Sequence, residues 1–181
     1  MKKIKKGMQI IDFTFHTPWL KNQVFSHYLK RKRKTILVFM RFYGCRLCQL
    51  DINKMIKSYS EFQKRNTQIL IVLQTEPSII RNQHNKSETP LTFICDPNHF
   101  LYRLYGLETY NYKDKPKEVK EKLQLAIDKG YEKVDNNNKE IPNQLPATFI
   151  MNSNWDIEFA YYGVHTGDVP SIEKLIEKID H

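Results

Sequence analysis

A strand that runs directly into a helix carrying two cysteines constrains the fold of this chain more than any other feature. Residues 36–40 form a continuous apolar run, which predicts a fully buried strand, and apolar residues at helical spacing begin a few positions later. The connection between them contains Cys45 and Cys48 in a C-x-x-C arrangement. We therefore expect two thiols at a strand-to-helix turn.

The predicted helix has an apolar face and a polar face, and the first cysteine precedes its first full turn. The apolar face comprises Cys48, Ile52, Met55, Ile56, Tyr59 and Phe62. Most of the polar residues, Asp51 among them, are expected on the opposite side. Free N–H groups and the positive end of the helix dipole stabilise an anion at Cys45, which predicts a depressed thiol pKa there. Arg41 and Arg46 add positive charge nearby.

A C-x-x-C at a helix start between two strands indicates thioredoxin-like redox chemistry. In such chemistry one thiolate attacks, and its partner, one helical turn away, displaces the product through a mixed disulfide. Two buried structural cysteines are the alternative, because free cysteine is among the most buried residue types. Burial alone does not explain the Gly44 hinge or the position at the helix end. The pattern therefore favours a reversible Cys45–Cys48 disulfide.

The remaining chain predicts an α/β fold. Further strands are predicted at residues 68–73, 91–95, 145–151 and 157–162. The earlier strands imply parallel pairing through helical crossovers, whereas the last two form an antiparallel hairpin before a closing helix. Residues 107–145 contain an additional charged helix and a loop at 135–138. We expect one domain spanning residues 1–181, with a central mixed sheet, helices on both faces, and residues 107–145 as a helical insertion before the last hairpin.

Charge and composition bear on partners and compartment. The net charge is +9, and five consecutive basic residues occupy positions 30–34, where a solvated turn before the buried strand is favoured over a nucleic-acid patch. No apolar stretch has the length of a signal peptide core or of a membrane span. Three cysteines, two of them in one motif, do not form a secreted disulfide framework. We expect a cytoplasmic protein without a membrane or nucleic-acid partner.

Neither a metal nor a bound cofactor is predicted. The histidines His16, His27, His84, His99, His165 and His181 lack the spacing of a ligand set, and one C-x-x-C without a second pair is weak evidence for zinc. Cys95 ends a predicted strand. Burial as a small hydrophobe is the default for this thiol, and use as a third redox thiol is the alternative.

Taken together, the motifs resemble those of a known family. The cysteine turn, the Asp-Pro pair at 96–97 leading to Tyr-Gly at 105–106, and Pro-Ala-Thr-Phe at 146–149 resemble the redoxin group of the thioredoxin fold. The chain looks most like peroxiredoxin-like proteins of the alkyl hydroperoxide reductase and thiol-specific antioxidant family. The likeness covers about residues 8–180 and implies a thioredoxin-like three-layer sandwich.

The resemblance also implies the surroundings of the cysteines. Thioredoxin-like proteins carry a cis-proline facing the cysteines, and Pro146 matches that position, so we expect a cis Leu145–Pro146 bond; an ordinary trans proline at a strand start is the alternative. Tyr43, Arg46 and Thr148 are expected to contact a bound peroxide or a partner chain. Packing or surface roles are equally open for these three residues.

Two departures from true peroxiredoxins affect the assignment of the attacking thiol. Their P-x-x-x-T-x-x-C motif, laid on Cys48, requires proline and threonine where this chain has Arg41 and Cys45, and their arginine before the core strand falls at Pro146. These departures argue against a dedicated peroxide pocket and recreate a dithiol. The helix-end position favours Cys45 as the attacking thiol, whereas the family template nominates Cys48; we favour Cys45.

The leading hypothesis is a thiol-dependent enzyme that reduces hydroperoxides or disulfides through a Cys45–Cys48 disulfide. A thioredoxin-like protein or a low-molecular-weight thiol is expected to regenerate it. The alternative is a non-enzymatic binding module in which a basic surface recruits acidic partners and the cysteines act as a redox switch. The sequence leaves the oligomeric state open.

Overall fold

A computed structural model describes residues 3–83, 85–86, 89–111, 113–134, 141 and 143–181. The predictions for His84 and for the loop at 135–138 lie outside these residues. The strands are β1 (Thr14–Phe15), β2 (Gln23–Val24), β3 (Lys34–Phe39), β4 (Thr67–Leu73), β5 (Thr92–Cys95), β6 (Ala147–Asn152) and β7 (Ile157–Tyr162). The helices are α1 (Phe25–Leu29), α2 (Arg46–Lys57), α3 (Tyr59–Lys64), α4 (Pro77–Arg81), α5 (Phe100–Leu104), α6 (Lys117–Asp128) and α7 (Ile172–Asp180).

The central sheet is mixed, and its strand order is β5-β4-β3-β6-β7. Strand β3 is parallel to β4, and β4 is parallel to β5, whereas β6 pairs antiparallel with both β3 and β7. Strands β1 and β2 form a separate antiparallel pair. Helix α6 lies between α5 and β6 in the chain, where a helical insertion was predicted. The predicted α/β architecture is therefore confirmed.

The side chains of β3 alternate between two hydrophobic cores, one on each face of the sheet. Ile36 and Val38 belong to the core formed with helices α2 to α4, α6 and α7. Leu37 and Phe39 belong to the core formed with α1 and α5. Full burial of one such side chain contributes about 1.5–3 kcal/mol. Packing from both sides fixes the end of β3 and with it the cysteine turn that follows.

One side chain of α2 is placed differently from the prediction. Asp51 is buried rather than on a solvated face, and its Oδ2 accepts a hydrogen bond of 2.6 Å from Lys122 Nζ of α6. Lys122 also donates to the Gly167 carbonyl at 2.6 Å. Helix α6 covers this side of α2, so the two charges leave bulk water together and compensate each other. The sequence did not reveal this pair because its members are 71 positions apart.

Residues 30–33 of the basic run form the predicted turn before β3, with Lys30, Arg31 and Arg33 exposed, and several side chains of the run also contact the protein. Lys34 belongs to β3 and its Nζ lies 2.9 Å from Glu158 Oε2. Arg33 donates to the Ile179 carbonyl at 3.0 Å, and the Arg31 guanidinium stacks on an aromatic ring. Residues 30–33 precede the six residues of β3, and the cysteines follow the strand, so about 20 Å of strand separates this turn from the cysteines.

None of the helices formed by the described residues is both long enough and apolar enough to cross a membrane.

Candidate active site

The candidate site is the turn between β3 and α2, at the centre of the sheet. Cys45 is the N-cap residue of α2, and its Sγ accepts a hydrogen bond of 3.4 Å from the Cys48 backbone N–H. The same sulfur accepts a hydrogen bond of 2.7 Å from Nη2 of Arg41. Arg41 follows the end of β3, so its side chain reaches the cysteine from the strand while the helix end approaches it from the other side. The sulfur thus lies between a guanidinium and a helix N-terminus.

These contacts favour the thiolate form of Cys45. Burial opposes ionisation of this thiol, but the hydrogen bond from the Cys48 thiol, the charge of Arg41 and the Cys48 backbone N–H lower its pKa to about 6. Burial of the guanidinium opposes its charge, but the negative charge on the neighbouring Cys45 thiolate raises the pKa of Arg41. Cys45 therefore has the stabilised thiolate, and with it the depressed pKa, that is typical of a reactive cysteine.

The other two cysteines are protonated at neutral pH. Burial, the hydrogen bond with Cys45 and the negative charge on Cys45 raise the pKa of Cys48 well above its usual value. Burial and the nearby Glu76 carboxylate raise the pKa of Cys95 to about 12. All three cysteines are free thiols. The electrostatics thus favour ionisation of Cys45 and keep Cys48, one helical turn away, protonated.

We predict that the rate of Cys45 oxidation follows the ionisation of this thiol. Because the thiolate is the nucleophile and its pKa is about 6, the rate should be about tenfold lower at pH 5 than at pH 7 and should level off above pH 7. Quenched alkylation of the reduced protein, followed by peptide mass analysis at each pH, measures the rate at this residue. A rate that keeps rising up to pH 8.5 or beyond would contradict the assignment, because it indicates an unperturbed thiol.

A short segment after α6, residues 131–134, covers the cysteine turn. Its Val134 N–H donates to the Gly44 carbonyl at 3.0 Å. Its carbonyls accept hydrogen bonds from Arg46 Nε at 3.0 Å and from Gln49 Nε2 at 2.8 Å. A Cβ atom on Gly44 would overlap the Val134 carbonyl oxygen and lie 2.7 Å from its carbon. Glycine is therefore required at position 44 by the close approach of this segment.

Gly44→Ala is predicted to displace the covering segment and to destabilise the fold. Because the overlap involves backbone atoms, the free energy of unfolding should fall by about 1–3 kcal/mol, a typical cost of overpacking. Alkylation of Cys45 by iodoacetamide should become faster as the cover lifts. Lys54→Ala, at an exposed position of α2, is the matched control and should change neither quantity. If Gly44→Ala behaves like this control, the segment does not restrict the site.

The Leu145–Pro146 peptide bond is trans, so the prediction of a cis bond was wrong. Pro146 does lie beside the cysteines, because it lines a small cavity together with Cys48. The backbone around it is held in an extended course: Leu145 N–H donates to the Glu108 carbonyl at 3.0 Å, and the Pro146 carbonyl accepts from Gly163 N–H at 2.9 Å. Pro146 directly precedes β6, so its missing N–H removes no hydrogen bond to a neighbouring strand. The trans peptide continues directly into β6.

The other predicted contact residues are divided between the site and the core. Arg46 lines a cavity that Cys45 also lines, although its Nε is bonded to a carbonyl of the covering segment rather than to sulfur. Tyr43 is buried, and its ring packs edge-on against Phe93 with centroids 6.0 Å apart. Thr148 is buried within β6 between β3 and β7. The structure thus brings Arg46 and Pro146 to the cysteines and places Tyr43 and Thr148 in the packing around them.

The principal residue that the sequence analysis undervalued is Arg41. The sequence analysis noted Arg41 as nearby charge and as a departure from the family motif, and named Arg46 as the substrate contact, yet Arg41 is the residue that contacts the sulfur. The available signal was its place close to the end of the buried central strand and four residues before Cys45. Among the described residues, no group of three or more His, Cys, Asp or Glu side chains is arranged to hold a metal ion.

Comparisons with known proteins identify related structures. The chain aligns along 98% of its length with the peroxidoxin BcpB of Mycobacterium tuberculosis, covering 97% of that protein, with a TM-score of 0.71 and 11% identity. It aligns over 98% of its length with peroxiredoxin 6 of Arenicola marina, covering 72% of that chain, with a TM-score of 0.69 and 12% identity. At these identities the likeness establishes the fold.

A third solved structure is a yeast mitochondrial 1-Cys peroxiredoxin, whose thiol is resolved via glutathione and thioredoxin systems. It has a TM-score of 0.66 and 14% identity, and the alignment covers 98% of this chain and 75% of that one. The comparison with curated proteins returned no match. The model of the AhpC/TSA family, however, matches residues 7–160. The chain therefore belongs to the AhpC/TSA family and is a thiol-dependent redox enzyme.

Proposed function

We propose that the protein is a dithiol peroxidase in which Cys45 attacks a hydroperoxide and Cys48 resolves the oxidised product. The observation that carries this proposal is the 2.7 Å hydrogen bond from Arg41 Nη2 to Cys45 Sγ at the N-terminus of α2. This contact supports Cys45 as the attacking thiolate, because it holds a positive charge beside that sulfur. Family membership supplies the class of oxidant, since the AhpC/TSA family reduces peroxides with cysteine thiols.

In the first step the Cys45 thiolate attacks one oxygen of the O–O bond. A sulfur–oxygen bond forms, the O–O bond breaks, and the departing alkoxide takes a proton from water to leave as an alcohol. Two electrons pass from sulfur to the peroxide, and Cys45 becomes a sulfenic acid. The Arg41 guanidinium is the donor that lies close enough to stabilise the negative charge that develops on the peroxide oxygens.

In the second step Cys48 attacks the sulfenic sulfur of Cys45. A disulfide forms, the sulfur–oxygen bond breaks, and the hydroxyl group leaves with the Cys48 proton as water. Loss of the negative charge on Cys45 in the first step removes one of the causes that raise the pKa of Cys48, so its ionisation becomes easier when it is needed. Residues three apart at the start of a helix have side chains close enough for a bridge with little backbone movement.

A thiol donor must then return the disulfide to the dithiol, and we propose a thioredoxin-like protein or a small thiol. The donor thiolate attacks one sulfur of the disulfide, and a second thiol releases the donor in oxidised form. The yeast relative that is resolved via glutathione and thioredoxin systems supports both classes of donor. No resident cofactor takes part in this cycle.

Two rival functions have weaker support. Direct reduction of protein disulfides uses the same dithiol, but the Pro146 bond is trans, so the expected cis-proline groove for an incoming chain has lost its support. The basic binding module rested on residues 30–34, where Lys34 and Arg33 are engaged by Glu158 and the Ile179 carbonyl. Peroxide reduction is therefore the favoured function.

Oxidation of the reduced protein by three oxidants tests this function. We predict that hydrogen peroxide and an organic hydroperoxide react much faster than a model disulfide in stopped-flow measurements. Mass mapping of the product should find a Cys45–Cys48 bridge, and the Cys95→Ser control should turn over at the rate of the wild type. Fastest reaction with the disulfide would instead favour a disulfide reductase, and a bridge that includes Cys95 would make that residue the resolving thiol.

A further inference from the structure

A cavity of about 260 Å³ opens beside Cys45 and is lined by an unusual set of charges. Four of its lining residues are basic: Arg41, Arg46, Lys115 and Lys133. The described lining contains no acidic residue. Lys115 and Lys133 are exposed, and neither has a described carboxylate within ion-pair distance. The cavity therefore presents positive charge in excess of what the Cys45 thiolate itself can balance.

The cations have different roles in the cavity. Arg41 is committed to the Cys45 sulfur, and Arg46 donates its Nε to the Tyr131 carbonyl. Lys115 precedes α6 and Lys133 belongs to the covering segment, so both come from the connection that joins α5 to β6. Both lysines therefore lie outside the central sheet and place their ammonium groups at the mouth of the cavity.

The rest of the lining is apolar. Phe42, Leu47 and Leu123 contribute side chains to the same cavity. A volume of about 260 Å³ lies just under the usual range for small-molecule sites, so it holds a small organic molecule and far exceeds the need of hydrogen peroxide. Apolar side chains, four cations and the Cys45 sulfur in one cavity suit a molecule with an apolar body and a negative group.

We propose that the preferred oxidant is a small organic hydroperoxide that carries a carboxylate. This inference rests on the proposed peroxidase function and specifies its substrate class. The carboxylate is held at the cavity mouth by Lys115 and Lys133, the apolar body packs on the leucines and Phe42, and the peroxide group meets Cys45. The bond changes are those of the first step above: sulfur is oxidised, the O–O bond breaks, and a hydroxy acid leaves.

The same cations would also attract a thiol reductant that bears a carboxylate. In both cases the cavity mouth would recognise a small carboxylate. Separate measurements of the oxidative and the reductive half-reaction show whether that carboxylate belongs to the oxidant or to the thiol reductant. We assign the preference to the oxidant because Cys45 meets the peroxide as a bare thiolate, whose own negative charge repels an anionic substrate unless the surrounding cations outweigh it.

The test compares cumene hydroperoxide with its para-carboxylate derivative as oxidants of the reduced full-length protein. At low salt the carboxylate should react about tenfold faster, the lower end of the range for electrostatic attraction into a charged cleft. Near 1 M salt the two rates should converge, because exposed charges are then screened over about 3 Å. The pair differs by one carboxylate group, and the part of the rate ratio that disappears at high salt measures the contribution of its charge.

A charge-matched pair of double variants assigns the preference to the cavity. Lys115→Gln with Lys133→Gln should lower the rate ratio about three- to tenfold, as expected for two exposed charge contacts. Lys6→Gln with Lys120→Gln removes the same charge from exposed positions outside the cavity and should keep the wild-type ratio. Equal losses in both variants would overturn the inference, since the preference would then reflect net charge alone.

The remaining outcomes separate this inference from the proposed function. Equal rates for the two hydroperoxides in the wild type would overturn the carboxylate preference and leave the peroxidase intact. Reaction with neither hydroperoxide would overturn both. The reductive half-reaction is measured with thioglycolate and the neutral 2-mercaptoethanol. A charge preference confined to this half-reaction would overturn the assignment to the oxidant.

Discussion

Replacing Cys45 by serine is expected to abolish oxidation of the protein by hydroperoxides, whereas replacing Cys48 by serine should leave the first oxidation intact. The difference follows from the electrostatics, because only Cys45 has a depressed pKa and the contact with Arg41. Cys48→Ser should therefore accumulate the sulfenic acid at Cys45 and stall after one turnover. We expect at least a thousandfold loss of rate for Cys45→Ser, since no other described thiol is ionised at neutral pH.

The measurement is trapping of the sulfenic acid with dimedone, followed by peptide mapping of each single variant. Cys95→Ser serves as the matched control, because that thiol is equally buried and its pKa is raised to about 12. The opposite pattern is informative. Dimedone on Cys48 of the Cys45→Ser variant would show that Cys48 attacks, as the family template nominated, and that Cys45 is the resolving thiol.

Much of the fold followed from hydrophobic periodicity. The sequence analysis predicted the buried strand β3, the parallel strands after it and the hairpin of β6 and β7. These predictions were possible because burial on one or both faces of a strand produces a recognisable pattern of apolar residues. The position of Cys45 at the N-terminus of α2 was predicted in the same way. Each individual strand and the start of α2 is a local feature, encoded by a short run of consecutive residues.

The features that the sequence analysis missed depend on contacts between distant parts of the chain. Asp51 was assigned to a solvated face because nothing in its own helix shows that Lys122 of α6 approaches it. The covering segment over Gly44 comes from residues 131–134, and no periodicity predicts such an approach. The Pro146 isomer is a further case, since a motif match carries no information on the backbone bonds that hold a trans peptide in place.

The choice between the two arginines illustrates the same limit at the site itself. Arg46 adjoins Cys45 in sequence, but its guanidinium donates to the Tyr131 carbonyl of the covering segment instead. Arg41 is four positions away and leaves the end of a strand, from which it points directly at the sulfur. Proximity in sequence was therefore a poor guide to proximity in space at a strand-to-helix turn.

Arg41→Met should lower the rate of Cys45 oxidation at pH 7 by about 100- to 1,000-fold, the range observed when a donor to a developing negative charge is removed. Two effects combine in this loss. The pKa of Cys45 should rise, because burial continues to oppose ionisation while the compensating charge is gone. The peroxide oxygens also lose their nearest donor in the transition state. Arg41→Lys, which keeps the charge but not the planar fork, should give an intermediate rate.

A pH profile separates the two effects and supplies the control. Raising the pH of the Arg41→Met variant restores the thiolate, so the part of the deficit that persists at high pH measures the direct action of the guanidinium on the peroxide. Arg46→Met is the control variant, because Arg46 lines the same cavity without touching the sulfur. In this variant the pKa of Cys45 should stay near 6. If Arg41→Met kept both the low pKa and the rate, the helix N-terminus alone would activate Cys45, and Arg41 would have no catalytic role.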